Sequence, residues 1–289
     1  MSTMNTPVRQ TRSLRPRLGA LWTYLLAISY SLLILVPVYW LVRSAFSTAS
    51  QLNKVPPIWL PAPTLQNFTT LITQVPFFAY LSNSFWFSVG TTLASLAVSF
   101  LAAYAFARLE IPGSAVLLWV LTLSMALPDV GTIVPLYRIL AGLHLLDTIA
   151  GLILVLSSTL APFTVWVLVS FIKQVPYEIE EAARIDGASL AQIMWRVLLP
   201  VSMPGLVTMG LINFINAWNN LLYPLSFSTS KAAKTLSVSI TEVFAGYSPW
   251  GKPWELIMAV GVVMVAPVVV LVLLSQRSIV SGLTRGAIK

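Results

Sequence analysis

Thr148-Ile-Ala-Gly-Leu-Ile-Leu-Val-Leu-Ser-Ser-Thr-Leu-Ala-Pro-Phe-Thr-Val-Trp-Val-Leu-Val-Ser-Phe-Ile172 contains no Asp, Glu, Lys or Arg. At about 1.5 Å of rise per residue, a helix of this length crosses the roughly 30 Å hydrocarbon core of a bilayer, so the stretch reads as a membrane span. Working outward, windows of the same character run from about Gly19 to Val42, Phe85 to Ala107, Met203 to Phe227 and Leu256 to Leu274. A sixth, about Ser114 to Leu136, is equally apolar but is interrupted by Asp129 next to Pro128. The expectation is an all-α membrane protein with six transmembrane helices. Composition agrees: 57% of the 289 residues are hydrophobic and 9% are charged, against roughly 25% charged in soluble proteins. The mean hydropathy of +0.84 points the same way. A soluble globule is excluded. The absence of cysteine rules out a disulfide framework, a thiolate metal site and a cysteine nucleophile together.

The net charge is +8, but the basic residues flank apolar runs instead of forming a stripe, which argues against a nucleic-acid surface. With the N-terminus inside, the inner segments hold Arg9, Arg12, Arg15, Arg17, Arg108, Lys173, Arg184, Arg196, Arg277, Arg285 and Lys289. The outer segments hold Arg43, Lys54, Arg138, Lys231, Lys234 and Lys252. That excess places both termini in the cytoplasm. The first run is too long for a signal-peptide core and is expected to stay as a helix. Trp22, Tyr39, Trp40, Trp86 and Trp254 fall near span ends, where aromatic belts form.

Two outer segments are irregular: Thr48 to Asn83, with five prolines, and Ser228 to Pro253. The inner connection is different. It reads Lys173-Gln-Val-Pro-Tyr-Glu-Ile-Glu-Glu-Ala-Ala-Arg-Ile-Asp-Gly187-Ala-Ser-Leu-Ala-Gln-Ile-Met-Trp-Arg-Val-Leu-Leu-Pro200. Pro176 suits a first helical position, Glu178, Glu180 and Glu181 complement the helix dipole, and Gly187 suits a left-handed cap. Ser189 and Gln192 have capping-box spacing for a second helix, which Pro200 is expected to stop. Ala182 and Ala183 are small enough to let another backbone approach. The bland alternative is a helix lying in the headgroup layer, and four acids between Glu178 and Asp186 argue against it, because anionic lipid repels them.

The order Glu181-Ala182-Ala183, Gly187, Val197-Leu198-Leu199-Pro200 resembles the EAA loop of permease subunits in binding-protein-dependent ABC importers. Val197 stands where that family more often has Ile. The likeness extends along the chain. Asn67-Phe68, Asn83-Ser84, Ala102 to Arg108, Ile185-Asp186-Gly187-Ala188 and Trp218 to Leu225 are similar to the carbohydrate-importer branch. The closing Gly282 to Lys289 is similar to the tail of the subunit type related to the second membrane subunit of the maltose importer.

This resemblance implies the type I ABC importer permease fold, one domain over 1–289 with a cytoplasmic coupling loop at 173–200, in a bacterial inner membrane. It implies a homologous second permease, two cytoplasmic ATPase subunits that bind ATP and magnesium, and an external substrate-binding protein. By the same analogy Glu181, Ala182, Ala183, Asp186 and Gly187 form the coupling contact. Thr284, Arg285, Gly286 and Lys289 add a second one, and Ser228 to Pro253 reaches toward the binding protein. The chain itself is expected to be non-catalytic, with no cofactor or metal of its own. The cargo is a sugar or glycoside, the alternative being phosphate, amino acids or peptides.

Other signals are weaker. Gly246-Tyr-Ser-Pro-Trp-Gly251-Lys252-Pro253 nearly spells a phosphate loop, but Pro253 stands where a magnesium-binding hydroxyl belongs and no strand precedes it. His144, the only histidine, is assigned no function. Asp129 reads either as the cap of a renewed helix after Pro128 or as part of a pathway. Asn213, Asn216, Asn219 and Asn220 recur at helical spacing close to Trp218 and Tyr223, and read either as packing glue or as a sugar-lined path. A proton- or sodium-coupled transporter would need more intramembrane acids than the one present. A membrane enzyme would need a His, Asp, Glu or Cys cluster at one depth, which is missing.

Overall fold

The computed structural model describes residues 15–245 and 252–285, with side chains at 19–242 and 252–276. In order, the helices are α1 (Arg15–Ala45), α2 (Ala49–Leu52), α3 (Gln66–Gln74), α4 (Phe77–Arg108), α5 (Ser114–Ser124), α6 (Asp129–Gly142) and α7 (Ile149–Lys173). After these come α8 (Tyr177–Ile185), α9 (Leu190–Gln192), a π-helical turn (Ile193–Leu198), α10 (Leu199–Trp218), α11 (Leu222–Phe227), α12 (Leu236–Ala245) and α13 (Trp254–Arg285). No strand occurs among the described residues.

Five segments are long and apolar enough to cross a membrane: Gly19–Ala45, Phe77–Arg108, Ile149–Lys173, Leu190–Trp218 and Trp254–Gln276. A sixth exists only if α5 and α6 are taken together, and they meet at a bend of 102°. The uninterrupted window expected from Ser114 to Leu136 is therefore two helices. Pro128 has no N–H and disfavours helical backbone at Leu127, so the amides of Met125, Ala126 and Leu127 turn back to the Thr122, Leu123 and Ser124 carbonyls.

The window from Met203 to Phe227 is also divided. Its helix ends at Trp218, and α11 starts where the Asn220 Oδ1 accepts the Tyr223 amide at 3.1 Å. At its other end the helix begins earlier than expected, because Pro200 does not stop it. Leu190 to Trp218 is one continuous helix. Proline is tolerated in the first turn of a helix, and just before it the Leu199 amide reaches five residues back to the Met194 carbonyl.

The core lies where α4 packs along α7 and α10. Ser84, Ser88, Thr91, Ser95 and Ser99 are all buried, spaced by three or four residues on one face of α4. Small side chains there let neighbouring backbones come close, which is how helices associate in lipid without a hydrophobic driving force. At Gly90 an added Cβ would lie 2.3 Å from Ile153 Cδ1, so any larger residue there has to push the end of that side chain aside. Asn213 on α10 donates to Ser95 Oγ and to Thr164 Oγ1, each at 3.1 Å, tying α10 to both neighbours. The Trp218 indole donates to the Met264 carbonyl at 2.9 Å and ties α10 to α13. Helix α1 leans on α13, and its residues 19–40 are exposed throughout, a surface that lipid or another subunit must cover.

Candidate functional site

Two regions carry the polar chemistry: the hairpin after α7 and a cleft beside the α5–α6 break. In the hairpin, Pro176 caps α8, Glu178 and Glu180 lie in its first turn, and Asp186 closes it. Gly187 has φ of +80°, and the amides of Gly187 and Ala188 bond back to the Arg184 and Ala183 carbonyls at 3.0 and 2.9 Å. Those two bonds are a Schellman motif, and the left-handed residue in it is glycine because a Cβ there is strained. The capping box follows: the Ser189 amide donates to Gln192 Oε1 at 2.7 Å, and the Gln192 amide to Ser189 Oγ at 3.4 Å.

The four acids do not act alike. Glu180 is fully buried, and its Oε1 accepts from Arg108 Nε at 2.5 Å. The same guanidinium donates to the Val175 carbonyl at 2.7 Å. Arg108 ends α4, so this pair roots the hairpin on the core. Glu178, Glu181, Ala182 and Ile185 instead share the open face of α8, at spacings of three, one and three, with Asp186 and Gly187 exposed beyond them. Ala183 is half-buried. Ile185 is 86% exposed, the one large apolar side chain on that face. Sequence reasoning missed both Ile185 and the Arg108–Glu180 pair. The spacing of Ile185 on the acidic face was legible. The pair, 72 residues apart, was not.

The cleft has a volume of about 490 Å³, and Asp129, Thr132, Ser158, Thr159, Asn216 and Asn220 are the main polar side chains on its wall. Asp129 is the first residue of α6. Its Oδ1 accepts from the hydroxyl of fully buried Tyr223 at 3.2 Å, so the carboxylate is held in place from behind. The Ser158 and Thr159 hydroxyls donate to carbonyls of their own helix, at 2.7 and 3.0 Å, which leaves their oxygens able to accept. Of the residues proposed for a path, the structure thus brings Asp129 and Asn216 together. Asn213 and Trp218 are buried in helix packing instead, because their bonds run to α4, α7 and α13. Asn219 is exposed away from the cleft wall and bonds back to the Ile215 carbonyl. The Ser157-Ser158-Thr159 interruption of the 148–172 window was a readable signal for the cleft.

On the opposite side, Asp147 Oδ1 accepts the Thr229 and Ser230 amides at 2.9 and 3.0 Å. Burial pushes this carboxyl up, but those bonds outweigh it and hold the group below the ordinary carboxylate range. Glu242 accepts from Tyr80 and pairs with Lys234 at 2.6 Å, fastening α12 to α4. His144 is exposed, with φ of 56°, in the α6–α7 turn. Among the described residues, no three metal-ligating side chains come together. Residues 246–251, which hold most of the phosphate-loop look-alike and part of the outer segment, lie outside the described residues, as do Gly286 and Lys289. Thr284 and Arg285 are placed as the end of α13, without their side chains.

A family model described as "Binding-protein-dependent transport system inner membrane component" matches residues 17–285. The chain belongs to that family. This inner membrane component is 36% identical to the sulfoquinovosyl glycerol transport system permease protein SmoH of Agrobacterium fabrum, over 88% of this chain and 89% of the relative. It is 35% identical to the trehalose transport system permease protein SugB of Mycobacterium tuberculosis, over 94% and 98%. The trehalose/maltose permease protein MalG of Thermococcus litoralis is 33% identical over 91% and 94%. A solved bacterial ABC transporter involved in import of the acidic polysaccharide alginate has a chain of the same fold, with a TM-score of 0.77 at 21% identity, covering 94% of this chain and 99% of that one.

Proposed function

We propose that this inner membrane component is the non-catalytic membrane subunit of an ATP-driven importer for a sugar or glycoside. The observation that carries the reading is the acidic face of α8, displayed in the open by a Schellman cap and rooted in the core through Arg108 and Glu180. A surface of that kind suits a rigid handle for a partner. Glu181, Ala182, Ala183, Asp186 and Gly187 make the contact, and ATP and magnesium are bound by two separate cytoplasmic ATPase subunits. Residues Thr284 to Lys289 supply a second contact. A homologous permease covers α1 and completes the type I pore, the cleft around Asp129 and Asn216 is this subunit's share of the path, and an external binding protein docks on the outer loops. Both termini are cytoplasmic. Relatives named for trehalose, maltose and sulfoquinovosyl glycerol support sugar cargo over phosphate, amino acids or peptides.

Purifying the complex from its native membrane tests this. Two ATPase chains, a second permease and a sugar-loaded external receptor should co-elute. Full-rate solute transport by the purified chain alone would overturn the reading.

A further inference from the structure

The cleft carries more than a location. Two chain breaks meet at it, the bend between α5 and α6 and the link after α10 at Asn220. Non-helical backbone at membrane depth survives only where protein covers it or water wets it. Seven polar side chains, from four helices and the link after α10, line this one space, and among the lining residues the single ionisable group is the carboxylate of Asp129. No Lys, Arg or His stands on the wall to balance it. Inside a concave site with low-dielectric walls, one fixed negative charge repels anions and concentrates cations. Against a background of aliphatic side chains and prolines, the wall also offers hydroxyl and amide groups and the ring of Phe163. That is the donor and acceptor set that recognises hydroxyl groups.

We propose that this cleft is a hydrated selectivity site of the subunit itself, which contacts uncharged polyhydroxylated solutes, and that Asp129 is its anion-rejecting residue. The proposal rests on the importer reading and deepens it. Acidic sugars, carrying carboxylate or sulfonate groups, are poor cargo for a path so lined.

The chain contains no cysteine, so a single introduced thiol reports on one place only. Ser158→Cys, a nearly isosteric change on the cleft wall, is made in the complete importer in membrane vesicles turning over ATP. Asn216→Cys serves as a second position. Three water-soluble methanethiosulfonates of similar size are compared by mass analysis of this chain: the neutral hydroxyethyl, the cationic trimethylammonium-ethyl and the anionic sulfonatoethyl reagent. Each rate is divided by that for a free thiol. The anionic reagent should react about tenfold more slowly than the neutral one, and Asp129→Asn should remove most of that difference. Failure of all three reagents at both positions, as expected if lipid or the partner permease fills the cleft, overturns the proposal. Equal anionic and neutral rates, or a difference that survives Asp129→Asn, overturn it too. ATP hydrolysis and co-purification of the ATPases in the same vesicles report separately on the importer reading, so the two can fail independently.

Discussion

Arg108 and Glu180 set the energetic stakes at single positions. The pair is almost wholly out of solvent, so removing one partner leaves an uncompensated buried charge, a loss of about 3–5 kcal/mol, whereas replacing both with apolar groups is much milder. Arg108→Ala should therefore lower the Tm of the purified complex well below that of Arg108→Ala combined with Glu180→Leu. A double variant destabilised by the full sum of the two single changes would remove the pair from the account. Gly187 makes a different case. Nothing lies within 4 Å of a Cβ built there, so the main cost of Gly187→Val is backbone strain, roughly 1–3 kcal/mol. Membrane insertion should persist while ATPase co-purification weakens, and unaltered co-purification would count against the coupling role. Caps of this kind were legible in the sequence because each is decided within a few residues. The ion pair was hidden because α4 and α8 meet only in three dimensions.

At the level of the helices, the apolar windows were plain from the absence of charge, and their interruptions were not. Pro128 was visible, but a 102° bend depends on what α7 and α11 offer the freed chain. Pro200 looked like a stop and is instead carried within a helix whose preceding turn is π-helical. The asparagines of α10 share helical spacing, yet packing decides which of them meet hydroxyls inside and which face the cleft. Asn213→Leu should thus cost modest stability, about 0.6 kcal/mol for each of its hydrogen bonds to Ser95 and Thr164, and should leave uptake near normal. Asn216→Leu should lower uptake per ATP hydrolysed with no change in Tm. Measured together, equal effects on uptake would erase the distinction. The α6–α7 turn gives a pH-dependent case. The folded carboxyl of Asp147 titrates below its ordinary range, so its stabilising contribution is complete at neutral pH and is lost as pH falls through that lowered value. Protease nicking near Thr229 and Ser230 should rise only in acid, and Asp147→Asn should produce it at pH 7. Resistance of that variant would discount the anchor.

For the whole molecule, orientation is the property on which partner assignments turn. Single cysteines at Glu178 on the hairpin and at Asn83 near the outer loops divide the possibilities, since the chain has no native thiol. An impermeant maleimide added to intact cells should label Asn83→Cys and spare Glu178→Cys, and the reverse pattern would invert the topology. The continuous helix from Leu190 to Trp218 has a mechanical implication for that arrangement. The returning strut of the hairpin and the rod that ends beside the cleft are a single shaft, with no joint to absorb a push from below. Its wide turn at 193–198 sets the angular phase of everything above it. Excising one residue there would rotate the upper portion by about 100°, swinging Asn216 off the cleft wall and Asn213 out of its socket, with the grip underneath left intact.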